Sequence, residues 1–241
     1  MSQELAELCG RYNATVLSTF DSRYGLVVEV ATTSERLVMR SSPDPDAAAQ
    51  AEVSRSLAHL GVGPEIREVI EAPSGVWTVA VRVLPGDTLK NRVVPIEALA
   101  TVLRPMHKRP APPGLPSLAA WLEERLHDEK PIDLPIGRTL APAADRQHAI
   151  RLLADLSTST GHQLCHGDAS SKNILLGHAG KLFLIDPRGV SGDLAYDVAV
   201  AAWKTAGSEP AGRRAAELSS LLDIDAPRVS AWLDIAQAAR V

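Results

Sequence analysis

The sequence predicts an α+β protein of two unequal parts: a small β-rich N-terminal lobe and a larger helical C-terminal lobe. Three observations predict it. Short apolar runs rich in strand formers, separated by turn residues, occupy most of residues 11–84. Helix-spaced apolar positions dominate from residue 96 onward. A single hairpin-like segment, residues 174–185, interrupts the helical part and is flanked by Asn173 and Asp186. The expected division is 1–84 and 85–241.

In order along the chain, residues 26–30 (Leu-Val-Val-Glu-Val) and 36–40 (Arg-Leu-Val-Met-Arg) flank turn residues and predict a β-hairpin. Asp44-Pro45-Asp46 reads as a helix start, with Asp44 as N-cap and Pro45 in the first turn. That helix carries Ala49, Val53, Leu57 and Leu60 on one face and stops at Gly61. Residues 65–71 and 76–83 read as two more strands around Pro73-Ser74-Gly75. Leu84-Pro85-Gly86-Asp87 breaks the pattern and reads as an inter-lobe hinge. Residues 96–103, 118–126 and 146–156 have helical apolar spacing, with a Pro-rich connector at 110–116. Residues 195–204, 212–222 and 227–239 predict three further helices.

The whole chain bounds the class. At 241 residues it can bury one sizeable core or two small ones. Hydrophobic residues at 45% and charged residues at 22% fit a soluble globular protein. The net charge of −4 with no basic run argues against a nucleic-acid surface. No apolar run approaches the ~18–20 residues of a membrane span, and the N-terminus lacks a signal-like core. Cys9 and Cys165 provide no disulfide framework, so a cytoplasmic protein is expected. A monomer or weak dimer is expected as well.

The chemistry concentrates in Cys165-His166-Gly167-Asp168-Ala169-Ser170-Ser171-Lys172-Asn173, followed by two apolar runs and Asp186-Pro187-Arg188-Gly189. Gly177 to Gly180 is turn material, so the two runs read as hairpin arms. Antiparallel pairing brings Asn173, at the start of one arm, to Asp186, at the end of the other. Their two hard oxygens suit Mg²⁺. Asp168, on the preceding loop, can accept a hydrogen bond from an incoming hydroxyl. A loop Asp, an Asn five residues on and a following metal-binding Asp are the parts that phosphoryl transfer uses. The blander readings are a turn-stabilising Asp168 and a hairpin capped by Asn173 and Asp186. A zinc reading of His162, Cys165 and His166 lacks a second Cys/His pair, and His166 is expected to brace the loop.

His-Gly-Asp-x4-Asn-Ile-Leu, Ile-Asp-Pro-x-Gly and Gly-Asp-x-Ala-Tyr-Asp together resemble the aminoglycoside phosphotransferase group of kinase-like enzymes. The Ile-Asp-Pro-Arg-Gly form, and the segment Gly114-Leu115-Pro116-Ser117-Leu118-Ala119-Ala120-Trp121, are similar to the streptomycin 6-phosphotransferase and hydroxyurea phosphotransferase branch. The resemblance implies a two-lobed protein-kinase-like fold, ATP and Mg²⁺ as cofactors, and a small-molecule hydroxyl acceptor. It also implies that Asp197 anchors the catalytic loop through backbone hydrogen bonds, and that Val81 and Val83 offer backbone groups to adenine. Relative to that branch a last helix is expected to be missing. Pro187 stands where protein kinases have the Phe of Asp-Phe-Gly, so a Phe-flip switch is not available.

The nucleotide side departs from this pattern. A kinase-like small lobe supplies a Lys from its third strand, but the chain has no Lys before Lys90. Arg40 falls at that place, sharing a strand face with Val38, and Glu52 is its expected ion-pair partner. The competing reading makes both plain surface residues. The stretch Ser18 to Gly25 has one Gly and makes a poor phosphate loop, although a Ser/Asp turn can still present N–H groups. The reading is an ATP-dependent phosphotransferase acting on a small-molecule hydroxyl, with an aminoglycoside such as streptomycin as the expected acceptor. The alternatives are a nucleotide-binding pseudokinase with an interaction role and a kinase for a housekeeping metabolite.

Overall fold

The computed structural model describes residues 2–22, 25–90, 92–131, 134, 139–158 and 161–241. The chain opens with helix α1 (Gln3–Arg11), which the sequence reading did not assign. The Ser2 side chain caps it by accepting from Leu5 N–H at 3.3 Å. Five antiparallel strands follow: β1 (Thr15–Phe20), β2 (Val27–Ala31), β3 (Arg36–Ser42), β4 (Ile66–Ala72) and β5 (Gly75–Val81), in the order β1-β2-β3-β5-β4. Period-two alternation sends Val28, Val30, Leu37, Met39, Trp77 and Val79 to one face, where they bury Leu5, Leu8 and Cys9 of α1. Each fully buried large side chain there contributes about 1.5–3 kcal/mol. Val38 and Arg40 take the opposite face of β3 and stay partly exposed.

Helix α2 (Ala47–His59) starts later than expected. Asp44 is not its N-cap. Its carboxylate accepts from Asp46 N–H at 2.9 Å and from Gln50 Nε2 at 3.1 Å, so a turn at Pro45-Asp46 precedes the helix. Asp46 holds the cap position without a side-chain cap bond. Val53 and Leu57 of α2 pack into the larger core of the following residues, away from the small sheet's own cluster. Strand β5 stops at Val81, which leaves Val83 outside the strand expected over 76–83.

The expected hinge is structured. Pro85–Thr88 forms strand β6, which pairs across β8 (Ile174–Gly177), with Asp87 opposite Leu176 and Thr88 opposite Leu175. The Pro and Gly that broke the strand pattern hid a pairing whose partner lies far along the chain. β8 also pairs with β9 (Leu182–Leu184), giving a three-stranded sheet ordered β6-β8-β9. Around it stand α3 (Ile96–Leu103), α4 (Leu118–His127), α5 (Ala143–Ser157), α6 (Leu194–Lys204), α7 (Ala211–Leu222) and α8 (Ala226–Ala239). Two-residue strands β7 (Gln163–Leu164) and β10 (Ser191–Gly192) pair beside the loop that leads to Asp168. Helix α6 is buried from Leu194 through Ala202 and is the centre of the helical core. The fold is α+β, with an antiparallel sheet first and a helical part after it, as the sequence predicts. Among the described residues no helix is long and apolar enough to cross a membrane.

Candidate active site

The hairpin register builds the site. Ile174 faces Leu184, and the ladder runs one step further, where Ile185 N–H donates to Asn173 O at 2.9 Å. Asn173 and Asp186 therefore leave the sheet at the same end. Asp186 has φ +57°, a left-handed conformation that Asp tolerates better than most residues. The Asn173 amide nitrogen donates to Asp168 O at 3.0 Å. Its oxygen is thus the end left for another partner. Asn173 Oδ1 and the Asp186 carboxylate are both hard donors at one end of the hairpin, a set that fits Mg²⁺.

The loop carrying Asp168 is held from beneath. Asp197, fully buried in the first turn of α6, accepts from His166 N–H at 2.6 Å and from Gly167 N–H at 2.9 Å. Burial raises its pKa to about 7, against the lowering effect of those two donors. The N-cap of α6 is Asp193, which accepts from Ala195 N–H at 2.9 Å. The same carboxylate accepts from Trp232 Nε1 at 2.8 Å and pairs with Arg228, tying α8 to the loop's support. His166 is a brace: Nε2–H donates to Ile185 O at 2.9 Å, and Nδ1 accepts from Asp168 N–H at 3.3 Å. Burial lowers its pKa, which keeps this neutral tautomer in place. Gly167 has φ +79°, and a Cβ there would stand 2.8 Å from Val190 Cγ2. Cys165 donates to Val190 O, and burial pushes its thiol well above the ordinary value. Among the described residues no three His, Cys, Asp or Glu side chains gather as a metal site, which gives the zinc reading no support.

Asp168 is nearly buried, and Lys172 places its ammonium 3.3 Å from Asp168 Oδ2. The lysine side chain is 66% exposed and the aspartate 12%. Sequence reading passed over Lys172, although its i,i+4 spacing from Asp168 on the same loop was in plain view.

Arg40 reaches across from β3 to the hairpin. Its Nη2 lies 2.7 Å from Asp186 Oδ1, and its Nη1 lies 3.5 Å from Gln50 Oε1. Glu52 is not its partner. Glu52 is exposed and pairs with Arg55 three residues on. At about 100° per residue, Glu52 lies some 200° around α2 from Gln50. Gln50 shares the inward row with Val53 and Leu57, and that row was the signal that should have chosen it. Asp44 in turn holds the Gln50 amide, giving a chain from Asp44 through Gln50 and Arg40 to Asp186.

The remaining expected positions are partly engaged. Val81 N–H donates to Glu65 O at 2.8 Å inside the small sheet. The Val83 carbonyl accepts from the Arg82 guanidinium, which also holds Glu29 at 3.3 Å. Ser18 to Phe20, expected in a phosphate loop, belong to β1, and Arg23 and Tyr24 lie outside the described residues.

A family model described as "Phosphotransferase enzyme family" matches residues 17–232. The chain belongs to the phosphotransferase enzyme family. It is an enzyme of phosphoryl transfer, a kinase. No curated protein sequence matches this phosphotransferase at a significant level. Solved structures share its fold at low identity. A type VIII aminoglycoside-3'-phosphotransferase is 20% identical over 97% of both chains, with a TM-score of 0.63. The choline kinase LicA from Streptococcus pneumoniae is 13% identical over 99% of this chain and 89% of its own, with a TM-score of 0.69. Spectinomycin phosphotransferase APH(9)-Ia, solved with ADP and spectinomycin, is 14% identical over 100% of this chain and 84% of its own, with a TM-score of 0.65.

Proposed function

We propose that this phosphotransferase transfers the γ-phosphoryl group of ATP to a hydroxyl of a small molecule, an aminoglycoside-type antibiotic such as streptomycin. The observation that carries the reading is the convergence of Asp168, Asn173 and Asp186 on one braced loop and the adjoining hairpin end. The acceptor hydroxyl donates to the Asp168 carboxylate and passes its proton there as its oxygen bonds to the γ-phosphorus. The bond from that phosphorus to the β-phosphate oxygen breaks, and ADP leaves. Little covalent help is needed, so positioning and charge do most of the work. Lys172, mostly exposed, guards the nearly buried Asp168 through one ion-pair contact, which an incoming acceptor can displace. Asn173 and Asp186 would hold Mg²⁺, which when bound shields the phosphate charge. Arg40, two of whose donors meet Asp186 and Gln50, keeps others for phosphate oxygens. Residues 1–84 are assigned to nucleotide binding, with Val81 and Val83 near the base, and residues 85–241 to the catalytic loop and acceptor.

The streptomycin assignment rests on the Ile185-Asp186-Pro187-Arg188-Gly189 resemblance. A kinase for a small housekeeping metabolite is the second reading, favoured by the likeness to a choline kinase. A Mg²⁺-ATP phosphorylation assay over aminoglycosides, choline and other hydroxylated metabolites separates the two. Turnover with streptomycin above all other acceptors supports the first. Turnover confined to a metabolite overturns it. Intact Mg²⁺-ADP binding with no turnover on any acceptor leaves a nucleotide-binding pseudokinase.

A further inference from the structure

Arg188 follows Asp186 by two residues and is rooted in the catalytic loop. Its N–H donates to His166 O at 2.8 Å, and a Cβ added at Gly167 would stand 2.9 Å from its own Cβ. Its guanidinium carbon lies over the Trp121 ring of α4, 3.9 Å from the ring centre. Among the described residues no carboxylate lies within ion-pair distance of it, and its side chain makes no hydrogen bond; its Nε is buried without a partner. Arg146 and Arg240 also bury an Nε without a partner, but four other partly or fully buried arginines hold carboxylates. Arg40 holds Asp186, Arg82 holds Glu29, Arg214 holds Glu209 and Arg228 holds Asp193.

A guanidinium does not lose its proton, so when it is drawn out of water its donors need acceptors. Stacking on an indole offsets part of that cost and leaves the donors unmet. A second donor stands nearby. The Tyr196 hydroxyl, in the first turn of α6, is buried without a partner among the described residues. It lies within electrostatic reach of both Arg188 and Asp168, and burial keeps it protonated. The Tyr196 hydroxyl is sealed from solvent, whereas the terminal nitrogens of Arg188 are not buried and meet no acceptor among the described residues, so they are open to a ligand made of acceptors. A planar fork held flat by an aromatic face is a fixed platform for the paired oxygens of a phosphate or carboxylate.

We propose that Arg188, stacked on Trp121, is an oxyanion-binding residue of this site, taking either oxygens of the phosphoryl group in transfer or an acidic group on the acceptor. The proposal deepens the ATP-dependent reading given above and rests on it for the location of the reacting groups. Binding can be tested without knowing the acceptor. Inorganic phosphate is titrated, at ionic strength fixed with chloride, into the wild-type protein, Arg188→Met and Arg188→Lys, with and without Mg²⁺-ADP, followed by calorimetry and tryptophan emission. The expected result is binding by the wild type, at least tenfold weaker binding by Arg188→Met, and an intermediate loss in Arg188→Lys, which keeps the charge without the fork. Mg²⁺-ADP affinity should stay within about twofold in all three. Phosphate affinity that rises when Mg²⁺-ADP is bound identifies the transferred phosphoryl group. Affinity indifferent to nucleotide, and competed by malonate, identifies an acidic acceptor and overturns the aminoglycoside as substrate, leaving the oxyanion site standing. Wild-type protein that binds no phosphate, or Arg188→Met and Arg188→Lys proteins that bind it as the wild type does, overturns the proposal. Phosphate binding that depends on Arg188 in a protein that does not bind Mg²⁺-ADP overturns the ATP-dependent reading and leaves the oxyanion site standing.

Discussion

The loop around Asp168 and the small-sheet side facing it are held in opposite ways. Two backbone N–H groups of the loop end on the fully buried Asp197, His166 spans from the loop to Ile185, and Asn173 closes back on Asp168. On the other side, Arg40 meets Asp186 through an ion pair whose partners are 27% and 48% exposed. A buried, satisfied network has one geometry, and a partly exposed ion pair exchanges with water and ligands at little cost. The proposed acceptor group and Asn173 are therefore fixed before substrate arrives, and Asp186 with the proposed phosphate grip is free to rearrange around a nucleotide.

The largest expected effect breaks the fixed half. Asp168→Asn should lower the rate of transfer by about a thousandfold, within the usual range for a proton-accepting group. Mg²⁺-ADP affinity should stay within about twofold; a large loss of nucleotide binding would show that the two halves are not separable. Next comes Asp197→Asn. One carboxylate oxygen becomes an amide nitrogen that faces a backbone N–H, so urea denaturation should show a loss of about 3 kcal/mol. An unchanged urea midpoint would mean that the loop is braced elsewhere.

On the adjustable side, Arg40→Lys loses the fork that spans Asp186 and Gln50, and KM for Mg²⁺-ATP should rise about tenfold, or about 1.4 kcal/mol. A smaller effect separates two buried groups by pH. His166 has a pKa depressed below the ordinary 6.5, chiefly by burial. Its contribution to stability is present above pH 6.5 and is lost as pH falls through the folded value. Asp197 has the opposite sign. Its pKa is raised from 3.8 to about 7, again chiefly by burial, so its contribution is full below 3.8 and is lost as pH rises through about 7. The stability difference between wild type and Asp197→Asn, from urea melts at pH 5 to 8, should therefore shrink as pH rises. The smallest effect is at Glu52. Because among the described residues it pairs only with the exposed Arg55, Glu52→Ala should leave KM for Mg²⁺-ATP within about twofold; a change comparable to that of Arg40→Lys would restore Glu52 as Arg40's working partner.

Local pattern made most of the fold legible. The hairpin of β2 and β3, the six helices after residue 96 and the pairing of β8 with β9 all follow from periodicity and turn residues close in sequence. Helix α1 was missed: its buried Leu5, Leu8 and Cys9 have meaning only once there is a sheet to cover. Strand β6 was missed because Pro85 and Gly86 read as a break, and the strand it joins begins at Ile174. In the site, the spacing of Asp168, Asn173 and Asp186 was visible because one loop and one hairpin carry all three.

The sequence by itself determined the division into sheet and helices and the set of groups around Asp168, since both depend on near neighbours in the chain. Only the tertiary structure decided which partner each charge meets. Arg40 found Asp186 and Gln50 in place of Glu52, and Arg188 found the face of Trp121 and, among the described residues, no carboxylate. Those choices depend on the rotational phase of α2 and on how the small sheet, the hairpin and α4 come together. Contacts between distant segments set them, and no local pattern of residues records such contacts.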